Sequence, residues 1–168
     1  SLQRAADRVA ELLTARGQTI SVSESCCGGM ISAALLAYPG ASAYYRGGHV
    51  AYSAQSQKLY FPESLRSDLM AGKVRYGGEQ MVQARARGIR AEMDTTWGLA
   101  ETGQAGPTFI KIKKPEGPYA NGGGGMARTS DGKATGVFAV AGVAEVGSVA
   151  KSITVRTDSS VRPENMVT

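Results

Sequence analysis

The stretch Glu24-Ser25-Cys26-Cys27-Gly28-Gly29 gathers a carboxyl, a hydroxyl, two thiols and two glycines into six consecutive residues. A polar strand-like run, Thr19 to Ser23, leads into it, and an apolar helix-like run, Met30 to Tyr38, leads out. Backbone N–H groups at such a strand-to-helix turn are free and attract anions or developing negative charge. The turn therefore suits a nucleophile, an oxyanion or a phosphate, although small residues at this junction are also ordinary turn chemistry. Ser25 reads as a site hydroxyl or as a helix N-cap. Cys26 and Cys27 read as small buried residues behind the turn, or as a thiolate at a helix start. A second glycine-rich stretch, Glu101-Thr102-Gly103-Gln104-Ala105-Gly106-Pro107, reads as a tight turn directly after a strand. The N–H groups of Gly103 and Gly106 suit a phosphate or an oxyanion there. The single histidine, His49, reads as structural, and no Cys/His cluster has metal-ligand spacing.

The elements that must position these residues follow from periodicity. Leu2, Ala5, Ala6, Val9, Leu12 and Leu13 recur at helical spacing before Gly17, predicting a helix over 2–16. Thr19 to Ser23 alternates as a strand, and Met30 to Tyr38 predicts a helix buried against a sheet and stopped by Pro39-Gly40. Ala41 to Gly48 reads as a loop and His49 to Ser53 as a short strand, with Tyr52 as a half-buried aromatic on it. Residues 54–76 are interrupted by Pro62 and carry only hints of helical turns. Val82, Ala86, Ile89 and Met93 form an apolar stripe on a helix over 78–93, and Thr95 to Ala100 reads as a strand. Residues 108–133 read as a surface loop with a basic patch (Lys111, Lys113, Lys114) and a glycine run. Thr135 to Val143 and Ser148 to Arg156 close the chain as a hairpin, with Val149, Ile153 and Val155 on one side and Ser152, Thr154 and Arg156 on the other. This alternation predicts an α/β fold with helices on both faces of the sheet and antiparallel pairing at one end. Ligands in such folds bind beyond the carboxyl ends of the strands, where both glycine stretches are expected to meet.

Composition bounds the function classes. The length of 168 residues suits one domain, with 42% hydrophobic and 20% charged residues. The net charge of +5 permits an anionic ligand, yet the basic residues are scattered, which argues against nucleic acid as a partner. Two adjacent cysteines cannot staple distant segments, so a reducing compartment is expected, the cytoplasm or an organelle matrix. No run reaches membrane-spanning length and no signal peptide is visible.

Several blocks together resemble the C-terminal domain of the competence/damage-inducible protein CinA, whose stand-alone members are nicotinamide-nucleotide amidohydrolases. They are Ser23–Gly29, Pro39–Ser42, Gly47–Ser53, Thr102–Pro107 and Gly136–Ala141, in family order and approximate spacing. The resemblance implies a three-layer α/β/α sandwich with a mixed sheet, spanning 1–168 as one domain. It also implies hydrolysis of the carboxamide of nicotinamide mononucleotide to the acid and ammonia, with no metal and no cofactor. The matching site positions are Ser25, Ser42 and Tyr52, with Gly28, Gly29, Gly103 and Gly106 as substrate-binding donors.

The family places a lysine five residues after the tyrosine; this chain has Gln57 there and Lys58 next. A serine attacking a primary amide needs a base, which a desolvated lysine supplies and glutamine does not. Either Lys58 takes the role from a neighbouring position or the base is lost. Cys27 also replaces the usual threonine, the segment after Pro107 is longer and more basic, and the chain stops at Thr168, short of the closing helix the family implies. Two readings follow: an amidohydrolase, or a catalytically inactive homologue serving as a structural or binding subunit of a larger assembly or homo-oligomer.

Overall fold

The computed structural model describes residues 1–104, 135–144 and 147–156, with side chains at 1–103 and 151–153. Gly106, Pro107, the loop 108–133 and the last residues 157–168 lie outside the described residues. The described order is α1 (Leu2–Ala15), β1 (Ile20–Glu24), α2 (Met30–Leu36), a 3-10 turn (Ala41–Ala43), β2 (Tyr45–Val50), α3 (Ala54–Tyr60), α4 (Glu63–Met70), α5 (Glu79–Glu92), β3 (Trp97–Gln104), β4 (Thr135–Ala144) and β5 (Gly147–Arg156).

The strands form one sheet in the order β2-β1-β3-β4-β5. β1 pairs in parallel with β2 and β3, while β3–β4 and β4–β5 pair antiparallel. Helices α1 and α2 cover one face and α5 the other, giving the expected α/β layering.

β1 is buried at every position. Ile20 and Val22 join Ala6, Ala10, Leu13, Ala34, Leu35 and Tyr44 in the core against α1 and α2. Its serines face α5 and are fully buried, so the polar side of the strand meets protein rather than water. Each finds partners there: the Ser21 hydroxyl donates to the Ile89 carbonyl at 3.1 Å and lies 2.8 Å from Thr95 Oγ1. Such pairing is what makes a buried hydroxyl tolerable.

Two glycines let α5 and β2 approach closely. A Cβ on Gly98 would lie 2.0 Å from the Ala86 carbonyl oxygen, so no side chain fits between β3 and α5. At Gly48 the same atom would lie 2.5 Å from the Val22 carbonyl oxygen.

Residues 54–76, ambiguous in sequence, hold two helices that pack a second core of Ala51, Phe61, Leu65 and Met81. Ser53 and Ser56 form a reciprocal capping box at the start of α3. Of the described β5 side chains, Ser152 is the packed one. Ser152 accepts from Gln83 at 2.7 Å and donates to Glu79 at 2.9 Å, both on α5, while Ile153 is 62% exposed.

Candidate functional site

The carboxyl ends of β1, β2 and β3 bring together the 24–29 turn, the β2–α3 connection and Glu101. The free N–H donors expected at the turn are occupied by the protein's own carboxylates. Glu24, fully buried, turns back over the start of α2, where its oxygens accept from the N–H groups of Gly29 (3.0 Å), Ile31 (3.0 Å) and Ser32 (2.9 Å). The Ser32 hydroxyl adds a fourth bond at 2.6 Å. A carboxylate at a helix start satisfies orphan donors and complements the helix dipole. Glu24 is thus itself the anion at the α2 N-terminus.

Glu101 does the same for the other half of the turn. Its Oε1 accepts from the N–H groups of Ser25 (2.5 Å) and Cys27 (2.9 Å), and its Oε2 from the Cys26 thiol (2.9 Å). Gly28 N–H goes to the Ser25 carbonyl at 3.1 Å. The Gly28 and Gly29 donors are therefore engaged within the fold. Their left-handed backbones, φ 64° and 96°, show why glycine stands at both positions.

Beneath the turn lies a group that the sequence did not single out. Arg85, on the α5 stripe, is 2% exposed. Its guanidinium donates to the carbonyls of Glu101 (2.8 Å), Ser23 (3.1 Å) and Glu24 (3.0 Å), and twice to Ser23 Oγ (3.2 and 2.9 Å). It also sits over the Phe61 ring, 5.1 Å from the centroid. Burial pulls its pKa down to about 10, opposed by the field of Glu101. One side chain thereby ties the ends of β1 and β3 to α5. Its position one residue before Ala86 on the stripe was the only hint.

The Ser23 hydroxyl extends this network to His49, 2.8 Å away at Nε2. Both lone pairs of Ser23 Oγ are taken by Arg85, so its proton goes to Nε2. His49 is accordingly the neutral Nδ1–H tautomer, stacked on Tyr60 at 4.3 Å. Burial, and then the charge of Arg85, push its pKa down to about 4.

The residues expected to do chemistry are not brought to one point. Ser25 is buried at the head of the turn, and its hydroxyl makes no hydrogen bond to a described residue. Ser42 is exposed in the 3-10 turn before β2, where its carbonyl accepts from Arg46 at 3.0 Å. Because β1 and β2 run parallel, Ser42 lies at the amino end of the sheet and Ser25 at the carboxyl end. A strand of this length, at about 3.3 Å per residue, separates them by roughly 15 Å. Tyr52 follows β2 rather than lying on it and is 61% exposed. Gln57 points inward, 3% exposed, and donates its amide to the Tyr76 hydroxyl. Lys58, one residue on, is exposed, and its ammonium bonds to no described residue. Gly103 is a strand residue opposite Gly136, not part of a turn. The two glycine stretches do meet as expected, but through the Glu101 carboxylate.

Comparison with known proteins agrees with this architecture. The family model described as the CinA C-terminal domain matches residues 2–122. A CinA-like protein of Synechococcus sp. (strain CC9902) is 43% identical over 111 residues, covering 65% of this chain and 25% of that protein. The chain spans about a quarter of the length of the curated relatives it matches. Among solved structures, a CinA superfamily protein from Klebsiella pneumoniae superposes with a TM-score of 0.72 at 24% identity, covering 99% of this chain and 88% of the other. One from Escherichia coli gives 0.72 at 18% identity, covering 99% and 83%. On the match over residues 2–122, supported by a shared fold, this chain belongs to the CinA C-terminal domain family.

Proposed function

We propose that this chain keeps the scaffold of a nicotinamide-nucleotide amidohydrolase without assembling its hydrolytic centre, and acts as a binding or structural subunit of a larger assembly. The observation that carries this reading is the pair at the start of α3: a buried Gln57 held by Tyr76, and an exposed Lys58. Amide hydrolysis by a serine requires a base within hydrogen-bond reach and donors for the oxyanion. Here the Ser25 hydroxyl has no hydrogen-bonded base among the described residues, Ser42 is at the other end of the sheet, and the turn's donors already serve Glu24 and Glu101.

A second reading, the active amidohydrolase, is favoured by one arrangement. Ser25, Tyr52 and Lys58 all belong to the carboxyl edge of the parallel strands, where ligands of such sheets bind. A rotation of the α3 start would then bring the Lys58 amine inward in place of Gln57. Ammonia release from nicotinamide mononucleotide separates the two. The expected result is no turnover above the uncatalysed background in the wild type, with Gln57→Lys equally silent because Ser42 remains remote. Turnover by the wild type that is lost in both Ser25→Ala and Lys58→Ala would establish the enzyme instead.

A further inference from the structure

Among the described residues one group of three metal-ligating side chains converges: Cys26, Cys27 and Glu101. All three are buried, and their ligand atoms lie within 4.8 Å of one another. Cys26 Sγ is 2.9 Å from Glu101 Oε2, and the two thiols share a hydrogen bond. The third ligand comes from a different strand, 75 residues away, which is why no local spacing revealed the group.

We propose that Cys26, Cys27 and Glu101 form a binding site for a thiophilic divalent cation such as Zn²⁺ or Cd²⁺. Two sulfurs select a soft ion over Mg²⁺ or Ca²⁺, which take oxygen ligands. Metal bonds of about 2.3 Å to sulfur and about 2.0–2.2 Å to oxygen, at tetrahedral angles, separate the ligand atoms by roughly 3.5–3.8 Å. The ligand atoms, all within 4.8 Å of one another, bracket that range, and Cys26 Sγ and Oε2, now 2.9 Å apart, would open by roughly 0.6–0.9 Å to reach it. Three protein ligands leave a fourth position open.

The surroundings already hold the parts such a site needs. Glu101 Oε1 is fixed by the Ser25 and Cys27 N–H groups, which leaves Oε2 oriented toward the sulfurs. Hydrogen bonds of this kind around a ligating carboxylate set its direction and strengthen the site. Charge also closes. Two thiolates and a carboxylate around a divalent cation carry a net −1, and the buried Arg85 guanidinium, which interacts electrostatically with both Glu101 and Cys26, supplies the compensating +1. In the metal-free protein Cys26 is held as a neutral thiol, its S–H donating to Glu101 Oε2 at 2.9 Å. Binding therefore exchanges two S–H protons for one cation, the protons leaving to solvent and Oε2 trading its S–H donor for the metal. This site is independent of whether amides are hydrolysed, and it depends on Cys27, the position where the family resemblance has threonine.

The test uses the full chain, reduced and freed of metal, titrated with Cd²⁺ and followed by the ultraviolet thiolate-to-metal charge-transfer band. Zn²⁺ is then added as a competitor. The expected result is one ion per chain, release of about two protons per ion, and a rise in melting temperature on loading. Cys27→Thr and Cys26→Ala, small substitutions in a buried turn, should each abolish the band and the temperature rise. Absence of stoichiometric binding by the wild type overturns the proposal. So does a band that survives in both variants, or binding without proton release. The proton count needs no variant, so a variant that fails to fold leaves the proposal open to refutation.

Discussion

At the residue scale, the molecule is organised by three buried charges: Glu24, Glu101 and Arg85. Removing Arg85 would take the guanidinium's hydrogen bonds from the carbonyls of Ser23, Glu24 and Glu101 and from the Ser23 hydroxyl, the Glu24 carbonyl keeping its bond from the Ala51 N–H. Arg85→Ala is expected to lower stability by about 3–5 kcal/mol in urea unfolding. Arg85→Lys should recover only a part, because an ammonium cannot reach three carbonyls in one plane. Glu24→Gln puts an NH₂ group against N–H donors at the α2 start and should cost about 1–3 kcal/mol by the same measurement. His49 gives the pH dependence. Its folded pKa of about 4 lies below the ordinary 6.5, so between those values the unfolded chain binds the additional proton. The stability contribution is full above about pH 6.5 and is lost as pH falls toward 4. After allowance for its partial exposure, roughly 1–2 kcal/mol is at stake. Denaturation midpoints measured from pH 7 to 4 should fall more steeply in the wild type than in His49→Gln.

At the element scale, the sequence was most informative where one periodicity dominates. The α1 stripe, the run into α2 and the α5 stripe each appear within about two residues of their expected bounds. β2 was harder, because Tyr45 to Val50 contains Gly47 and Gly48, which look like loop residues. Their use is close approach: Gly48 passes against the Val22 carbonyl. β3 extends to Gln104 because Glu101, Thr102 and Gly103 pair with β4, a long-range partner that local turn chemistry does not see. The candidate site was less legible for the same reason. Ser25, Cys26 and Cys27 were visible as a turn, but the carboxylate that uses up its donors comes from another strand, and the guanidinium below comes from an arginine beside the apolar stripe of α5, a residue type that ordinarily reads as surface. Gly98 supplies the test at this scale. An added methyl group there would meet the Ala86 carbonyl oxygen at 2.0 Å, so Gly98→Ala must push α5 off β3. A loss of about 2–3 kcal/mol or more is expected, where Gly17→Ala in the α1 stop should cost only about 1 kcal/mol.

At the scale of the whole molecule, β1 is the inner strand on which everything closes. It pairs with β2 and β3, gives α1 and α2 their core, and ends in the turn clamped by Glu101. An apolar groove of about 340 Å³ runs between α1 and the sheet, lined in part by Val9, Leu12, Trp97 and Leu99, so β3 also completes the surface that α1 faces. A fragment ending at residue 95 loses Trp97, Leu99 and Glu101 together. It is expected to show helical circular dichroism without a cooperative urea transition, whereas the intact chain unfolds cooperatively. No helix of the described residues is long and apolar enough to cross a membrane.

The link between Cys27 and Glu101 spans 74 positions of chain, and that separation is also an interval of time. At about 5–20 residues per second, a ribosome delivers Glu101 roughly 4–15 s after the turn it clamps. During that interval the two thiols emerge on a nascent chain with no carboxylate to receive them and no third strand to bury them. A thiol-alkylating reagent applied during synthesis should therefore mark Cys26 and Cys27 on short nascent chains, and spare them once the chain extends beyond β3.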